Sequence, residues 1–391
     1  MKIDHMECMI ADAGWRTFSF LKMSTACGIT GWSEYNEDFG SKGLSDVIRA
    51  LSPLVIGADP RASEAIVARL HVGTRQARGG LNQQAIAAIE NALLDIRGKE
   101  AGKPVHALFG GPIRDRIPVY WSHFATYRVS GRSTQFFPPI PDYEALGRHA
   151  EEVTAAGFRC LKTNIFPWDG AKFSQFAPGF GRAAGWPELN WDNALLGDLT
   201  RQLMTIRDAV GPEMGIMLDT NFHFKTEGFL RVAAAVEAIG LTWLEIDTHD
   251  PPSLAMIRNR APCPIASCET LHGRRDFKPY LEQYAMDVAI VDVPWNGLGE
   301  SMKIASMCDA YEVNCAPHNF YGHLCSFISA HFCAAIPNFR IMEIDIDSCP
   351  WRDEFVTNLP QFENGCFVVP TAPGWGTDIN EAAVRARPPK N

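Results

Sequence analysis

Asp219, Glu245, Glu269, Asp292, His318 and Glu343 each close a short, β-rich apolar string, at intervals of 26, 24, 23, 26 and 25 residues. No other feature restricts the fold of this chain so tightly. A strand, a helix and their two turns need about that length, since ~250 residues serve the eight units of a closed barrel. We read strands at 117–120, 159–164, 215–219, 242–245, 265–269, 288–292, 314–318 and 341–343. Helical patterns such as 229–239 and 298–310 lie between them. Eight βα units predict a closed parallel (β/α)-barrel, although an open sheet would show the same local pattern. With 391 residues the chain has enough material for a barrel over 116–345 and a smaller domain.

The smaller domain is read over 1–115 as an α+β module. Residues 18–23 alternate like a strand, which Gly28 and Gly31 break. Over 84–97, Ile86, Ile89, Leu93 and Ile96 recur at helical spacing, with Gly98 and Gly102 as stop signals. No phosphate-binding glycine loop follows a strand. The segment 346–391 is rich in turn residues and is expected to return to the first module. One interval breaks the period: Lys162 and Asp219 are 57 residues apart. The excess is a Gly- and aromatic-rich insertion over 166–187, after a strand's C-terminal end. It reads equally as a lid over a site or as a self-packed surface excursion.

Composition removes several classes of function. The net charge is −9 and Lys and Arg form no run, which argues against a nucleic-acid partner. No apolar run reaches the ~18 residues of a membrane helix. The start, Met1 to Glu7, is too polar for a signal peptide, so a soluble cytoplasmic protein without membrane contact is expected. The 11 cysteines are odd in number, lack a CxxC pair and read as reduced thiols.

Strand C-termini of a barrel converge on one mouth. Asp219, Glu245 and Glu269 would therefore meet there, and three carboxylates repel unless something positive lies among them. Oxygen-only ligands suit a hard cation, and Mg²⁺ keeps positions open for substrate. A divalent ion on a substrate carboxylate stabilises the dianion left when the neighbouring carbon loses its proton. The base for that proton is read as His318, with Asp292 fixing its tautomer. Lys162 lies across the mouth, with Asn164 on the same strand face. Its ammonium would hold the substrate carboxylate, or act as a base if its pKa were depressed.

These residues carry a resemblance. The chain resembles the enolase superfamily, in its mandelate racemase subgroup. Residues 85–99 through Leu108-Phe109-Gly110-Gly111 look like the helix before that family's barrel. Leu218-Asp219, Trp243-Leu244-Glu245 and Ala266-Ser267-Cys268-Glu269 look like its metal ligands, and Asp292 and His318 like its Asp–His dyad. Glu343 sits where its racemases place an acid near the substrate carboxylate, and Pro370 to Gly376 resembles its late turn. The resemblance is nearest to acid-sugar dehydratases of the galactonate type, which share the Lys-x-Asn of Lys162 and Asn164. It departs from them at Asn221, where they carry a His; His223 follows two residues later. It departs from the racemases at Asn164, where they carry a second Lys. Glu245-Ile246-Asp247 replaces the usual Glu-Glu-Pro, which we read as neutral for metal binding.

The resemblance implies a modified TIM barrel with a capping domain formed by the first module and the tail. It implies Mg²⁺, a sugar-acid substrate and a homo-oligomer. Trp15-Arg16-Thr17 and Tyr35-Asn36-Glu37-Asp38 become lid candidates. The expected reaction is removal of the α-proton by His318 and loss of the β-hydroxyl, giving a 2-keto-3-deoxy acid, with Asn164, Asn221, His223 and Glu343 around the substrate. The alternatives are a racemase or epimerase using Lys162 as a second base, and a metal-bearing sugar-acid binder without turnover.

Overall fold

A computed structural model describes residues 1–38, 41–178 and 190–390. It opens with an antiparallel sheet, β1 (Ile3–Asp12), β2 (Thr17–Thr25) and β3 (Thr30–Tyr35). Three helices follow: α1 (Leu44–Leu51), α2 (Ser63–Gly73) and the long α3 (Gly80–Glu100). Eight parallel strands come next: β4 (Arg116–Phe124), β5 (Cys160–Thr163), β6 (Gly215–Asp219), β7 (Trp243–Glu245), β8 (Ile265–Ser267), β9 (Val288–Asp292), β10 (Asn314–His318) and β11 (Met342–Asp345). β11 pairs with β4. Bonds from Cys315 N to Asn338 O (2.7 Å) and from Arg340 N to Cys315 O (2.8 Å) join the two ends of the row into a ring. The chain is thus a barrel with an α+β module beside it, as its period predicts.

Between the strands run α4 (Thr126–Val129), α5 (Tyr143–Ala155), α6 (Asn193–Val210), α7 (Thr226–Ala235), α8 (Pro251–Arg260), α9 (Arg274–Glu282), α10 (Val293–Asn296), α11 (Leu298–Ala310) and α12 (His323–Ala335). Their starts are chemically marked. The Asp142, Asp192 and Asp250 carboxylates accept backbone N–H bonds at the first turns of α5, α6 and α8. The helical pattern read over 229–239 belongs to α7, which ends at Ala235 and is followed by a 3-10 turn, Glu237–Ile239. Among the described residues no helix is long and apolar enough to cross a membrane.

Strand parity places the site. Tyr120, Met217, Trp243, Ala266, Ile290, Ala316 and Ile341 form one buried cluster inside the ring. Residues two further along share that inward face: Asp219, Glu245, Asp292, His318 and Glu343. β8 breaks the register, because Glu269 lies three residues beyond Ala266 and would point outward. The strand stops at Ser267, and buried Cys268 takes a left-handed φ of 88°, which turns Glu269 back into the mouth. A non-glycine residue at positive φ costs free energy and is tolerated where the surroundings enforce it.

α3 joins module to barrel. Asp95 accepts bonds from Trp32 N (2.8 Å) in β3, Trp375 N (3.0 Å) in the tail and Lys99 Nζ (2.7 Å). Asn91 Oδ1 accepts from Leu298 N at the start of α11. Glu34 of β3 accepts from Gly322 N (2.6 Å) and Cys325 N (3.0 Å) at the start of α12. Gly98 does not stop α3 but lies within it. A Cβ there would come 2.9 Å from Gly374 Cα, so glycine is needed for the tail to approach. The tail pairs β12 (Phe362–Glu363) with β13 (Cys366–Val368), lays β13 against β4, and ends with α13 (Glu381–Arg385). Glu381 meets Lys22 of β2 at 2.5 Å.

Candidate active site

The mouth of the barrel holds a cavity of about 420 Å³, within the usual range for small-molecule sites. Lys162, Asn164, Asp219, Asn221, His223, Glu269, His318 and Glu343 all line it. Glu245 lies just beneath, with Lys162 Nζ 2.9 Å from its Oε1. Asp292 lies behind His318 and is fully buried.

Four carboxylates crowd one side. Burial, only partly offset by Lys162, and the charges of Asp219 and Glu269 push Glu245 up to about 8. Burial, opposed by His318, and the charges of Asp247 and Asp219 push Glu269 up to about 8 as well. Asp247, which the sequence reading set aside, also lines the cavity; burial and the charges of Glu245 and Asp219 hold it at about 7. Asp219 Oδ1 accepts from Asn221 N (3.0 Å) and Nδ2 (2.7 Å). Among the described residues no three His, Cys, Asp or Glu side chains are drawn together as ligands. Asp219 and Glu245 lean on Lys162, and Glu269 lies 3.5 Å from His318 Nε2. The donor set nevertheless fits a hard divalent cation. It is all oxygen, faces a cavity, and its mutual repulsion is what such a charge relieves.

The opposite side is tightly bonded. His318 Nδ1 is 2.6 Å from Asp292 Oδ2, which also accepts from Tyr321 OH at 2.5 Å; Trp295 N donates to Asp292 Oδ1 at 2.7 Å. This leaves Nε2 toward the acids. Burial disfavours charge on His318, but Glu269, the bond to Asp292 and Glu343 outweigh it and raise its pKa to about 10. A cation on Glu269 would remove the leading charge that holds this proton. Glu343 accepts from Ser122 Oγ and Asn319 N (2.7 Å) and lies 3.2 Å from Lys162 Nζ. Burial notwithstanding, the charges of Lys162 and His318 hold Glu343 down at about 2. Burial likewise disfavours charge on Lys162, yet Glu245 and Glu343 keep its amine protonated well above the ordinary lysine range. The sequence reading allowed Lys162 as a base of depressed pKa; the surrounding carboxylates shift it the other way.

Asn164 is locked: Oδ1 accepts from Thr126 Oγ1 (2.7 Å) and Nδ2 donates to Asp219 O (3.1 Å). Burial lowers His223 to about 4, so it is neutral near pH 7; Phe176 packs edge-on against it. Of the two lid candidates, Trp15 reaches the cavity, and Thr17 bonds Asp38 of the other segment (2.6 Å). None of the segment 35–38 lines it. The described part of the insertion, 166–178, gives Gln175 and Ala177 to the cavity wall; 179–187 lies outside the described residues. His123, Thr126, Arg132, Trp295 and Phe320 also line it and escaped the sequence reading. Strand parity could have found Asp247, two residues after Glu245. Tyr321 carries no periodic signal at all.

Two family models match the chain: the mandelate racemase / muconate lactonizing enzyme N-terminal domain over 6–110, and the enolase C-terminal domain-like family over 145–383. The chain belongs to the enolase superfamily. Among superfamily members, it is 27% identical to a D-galactonate dehydratase family member of Oceanicola granulosus, covering 98% of this chain and 94% of that one. It is 26% identical to a D-galactarolactone cycloisomerase of Agrobacterium fabrum, covering 91% and 87%. A crystal structure from Burkholderia xenovorans, provisionally named an L-alanine-DL-glutamate epimerase and bound to magnesium and fumarate, superposes with a TM-score of 0.97. It is 47% identical and covers 100% of this chain and 96% of that one.

Proposed function

We propose that the chain is a Mg²⁺-dependent acid-sugar dehydratase. One observation carries this reading. His318 is anchored through Nδ1 and presents Nε2 to the cavity, while the place beside Lys162 that would supply a second base holds an amide, Asn164, bonded on both of its atoms. One base and one fixed ammonium suit an elimination better than inversion at carbon.

Asp219, Glu245 and Glu269 are the residues that would hold the ion. What Mg²⁺ supplies when bound is positive charge for the substrate carboxylate as the α-proton leaves. Lys162 neutralises the same carboxylate from the other side. His318 Nε2 takes the α-proton; the C–H electrons form the new double bond as the β C–O bond breaks. The imidazolium, held upright by Asp292, returns that proton to the departing hydroxyl as water. The enol product then tautomerises to the 2-keto-3-deoxy acid. Neutral His223 and Asn221 hold substrate hydroxyls by hydrogen bonds, and Glu343 keeps Lys162 in place. The names of the 25–27% identical relatives support the acid-sugar class.

The test is a screen of aldonic and aldaric acids with Mg²⁺, read by a colour reaction for 2-keto acids. A hit lost with EDTA and with His318→Ala supports the reading. The provisional name of the Burkholderia relative favours a second one, epimerisation. Deuterium entering recovered substrate from D₂O, with no keto acid formed, would replace dehydration with epimerisation.

A further inference from the structure

The order of strands around the ring separates two ends of the cavity. Asp219, Glu245, Asp247 and Glu269 stand on or just beyond β6, β7 and β8, while Glu343 stands on β11, paired with Lys162. Across the ring lie β10, β11 and β4, and the loop after β4 and α4 carries Arg132. Arg132 lines the cavity. Its guanidinium lies over the Trp15 ring, 5.3 Å from the centroid, and Trp15 in turn packs on Tyr127 at 4.6 Å. The other arginine near this lid, Arg16, does not line the cavity. It donates to Phe320 O at 2.5 Å and lies 4.0 Å from Asp345. Arg132 makes no hydrogen bond or ion pair with any carboxylate among the described residues, although five carboxylates stand at or beneath the cavity floor. His123, which burial lowers to about 3 and so leaves neutral, and the amide of Gln175 line the same cavity.

A guanidinium laid on an aromatic ring keeps its in-plane N–H fork free for a planar anion. We propose that Arg132, stacked on Trp15, binds a second carboxylate at the far end of the substrate. The substrate class then narrows from acids with one carboxylate to dicarboxylic, aldaric-type acids. One carboxylate lies at Lys162 and the acid cluster, and the other lies under the lid. This rests on reading the cavity as an acid-binding site. A monocarboxylic sugar acid would instead set a hydroxyl against Arg132, a weaker partner for a guanidinium than a carboxylate.

Binding of unreactive acids tests it apart from the reaction. Full-length protein with Mg²⁺ is titrated calorimetrically with succinate, glutarate and adipate, and with butyrate, valerate and hexanoate of matching length. The length series finds the span between the two ends. At one length the diacid should bind at least tenfold more tightly than its monoacid. Arg132→Gln should bring that ratio to within twofold of one while leaving monoacid binding unchanged, which also shows that the variant is folded. Equal binding of diacids and monoacids at every length, or a preference that survives Arg132→Gln, overturns the proposal. None of these acids carries a β-hydroxyl. Their binding therefore tests Arg132 apart from turnover: a diacid preference, together with no keto acid from any aldonic or aldaric acid in the screen, sinks the dehydratase reading and leaves Arg132's role standing.

Discussion

Buried acids at two places in this molecule differ in their partners. At the seam between module and barrel, Asp95 accepts two backbone N–H bonds and a lysine, and Glu34 accepts two backbone N–H bonds. At the mouth, Glu245, Asp247 and Glu269 crowd one side of a cavity, and each is pushed up chiefly by burial and also by the other carboxylates. Burial alone therefore does not mark a site. An acid satisfied by backbone is a joint, whereas acids that repel one another toward open space are a binding set.

The largest expected effect is at the mouth. Glu269→Gln should lower turnover by roughly 10³-fold or more and raise the Mg²⁺ concentration for half activity at least about 100-fold, because even outer partners of a ligand cost 10–100-fold in affinity. Its melting temperature without Mg²⁺ should change little, since the amide removes a charge that Asp247 and Asp219 repel and His318 attracts. Scanning calorimetry beside a Mg²⁺ titration checks both. A variant that unfolds early and keeps its Mg²⁺ response would put Glu269 among the joints.

Asp95→Asn should do the reverse. Removing one partner of a buried pair costs about 3 kcal/mol or more, and here two strands of contact pass through one carboxylate. Urea unfolding should show that loss, with kcat within about twofold of the parent. A large fall in kcat at unchanged stability would erase the distinction.

Glu90 sharpens it through pH. Burial, only partly offset by Lys303, holds its carboxyl up at about 7, against 4.5 for the free side chain. Between those two pH values the folded chain keeps a proton that the unfolded chain has lost. Stability from this group is therefore present below pH 4.5 and declines as pH rises through 7, by about 3 kcal/mol in all. Glu90→Gln should flatten that decline and make the protein more stable than its parent at pH 8. Parallel slopes in the two proteins would show that Glu90 does not ionise late.

How much of this was legible follows from what each residue depends on. Asp219, Glu245, Asp292, His318 and Glu343 ended periodic strands, so parity and spacing were enough to bring them to one mouth. Glu269 was found by period although its parity is wrong; only the left-handed Cys268 reconciles the two, and backbone φ is not written in the sequence. Gly98 looked like a stop because glycine usually ends a helix, and its real cause, Gly374 pressing on α3, is a contact 276 residues away. His123 and Thr126 lie at the end of β4 and the start of α4, past the 117–120 read as strand, and Arg132 comes from irregular chain after α4, where no period exists to place it.

Tyr321 lies where the two regions meet. Its hydroxyl donates to Asp292, and the next residue, Gly322, is held by Glu34 across the seam. The loop that orients the dyad is thus fastened from the capping side. Tyr321→Phe deletes one bond to a carboxyl oxygen, worth about 1.5 kcal/mol, so kcat should fall roughly tenfold with KM and melting temperature little changed. If the seam acts on the dyad through this loop, Glu34→Gln should reproduce that fall in kcat, because a weaker hold on Gly322 loosens the same hydroxyl. Combining the two substitutions should then cost little more than either alone. Independent, multiplying losses would show instead that Glu34 is a joint and nothing else, and that the mouth is positioned by the barrel alone.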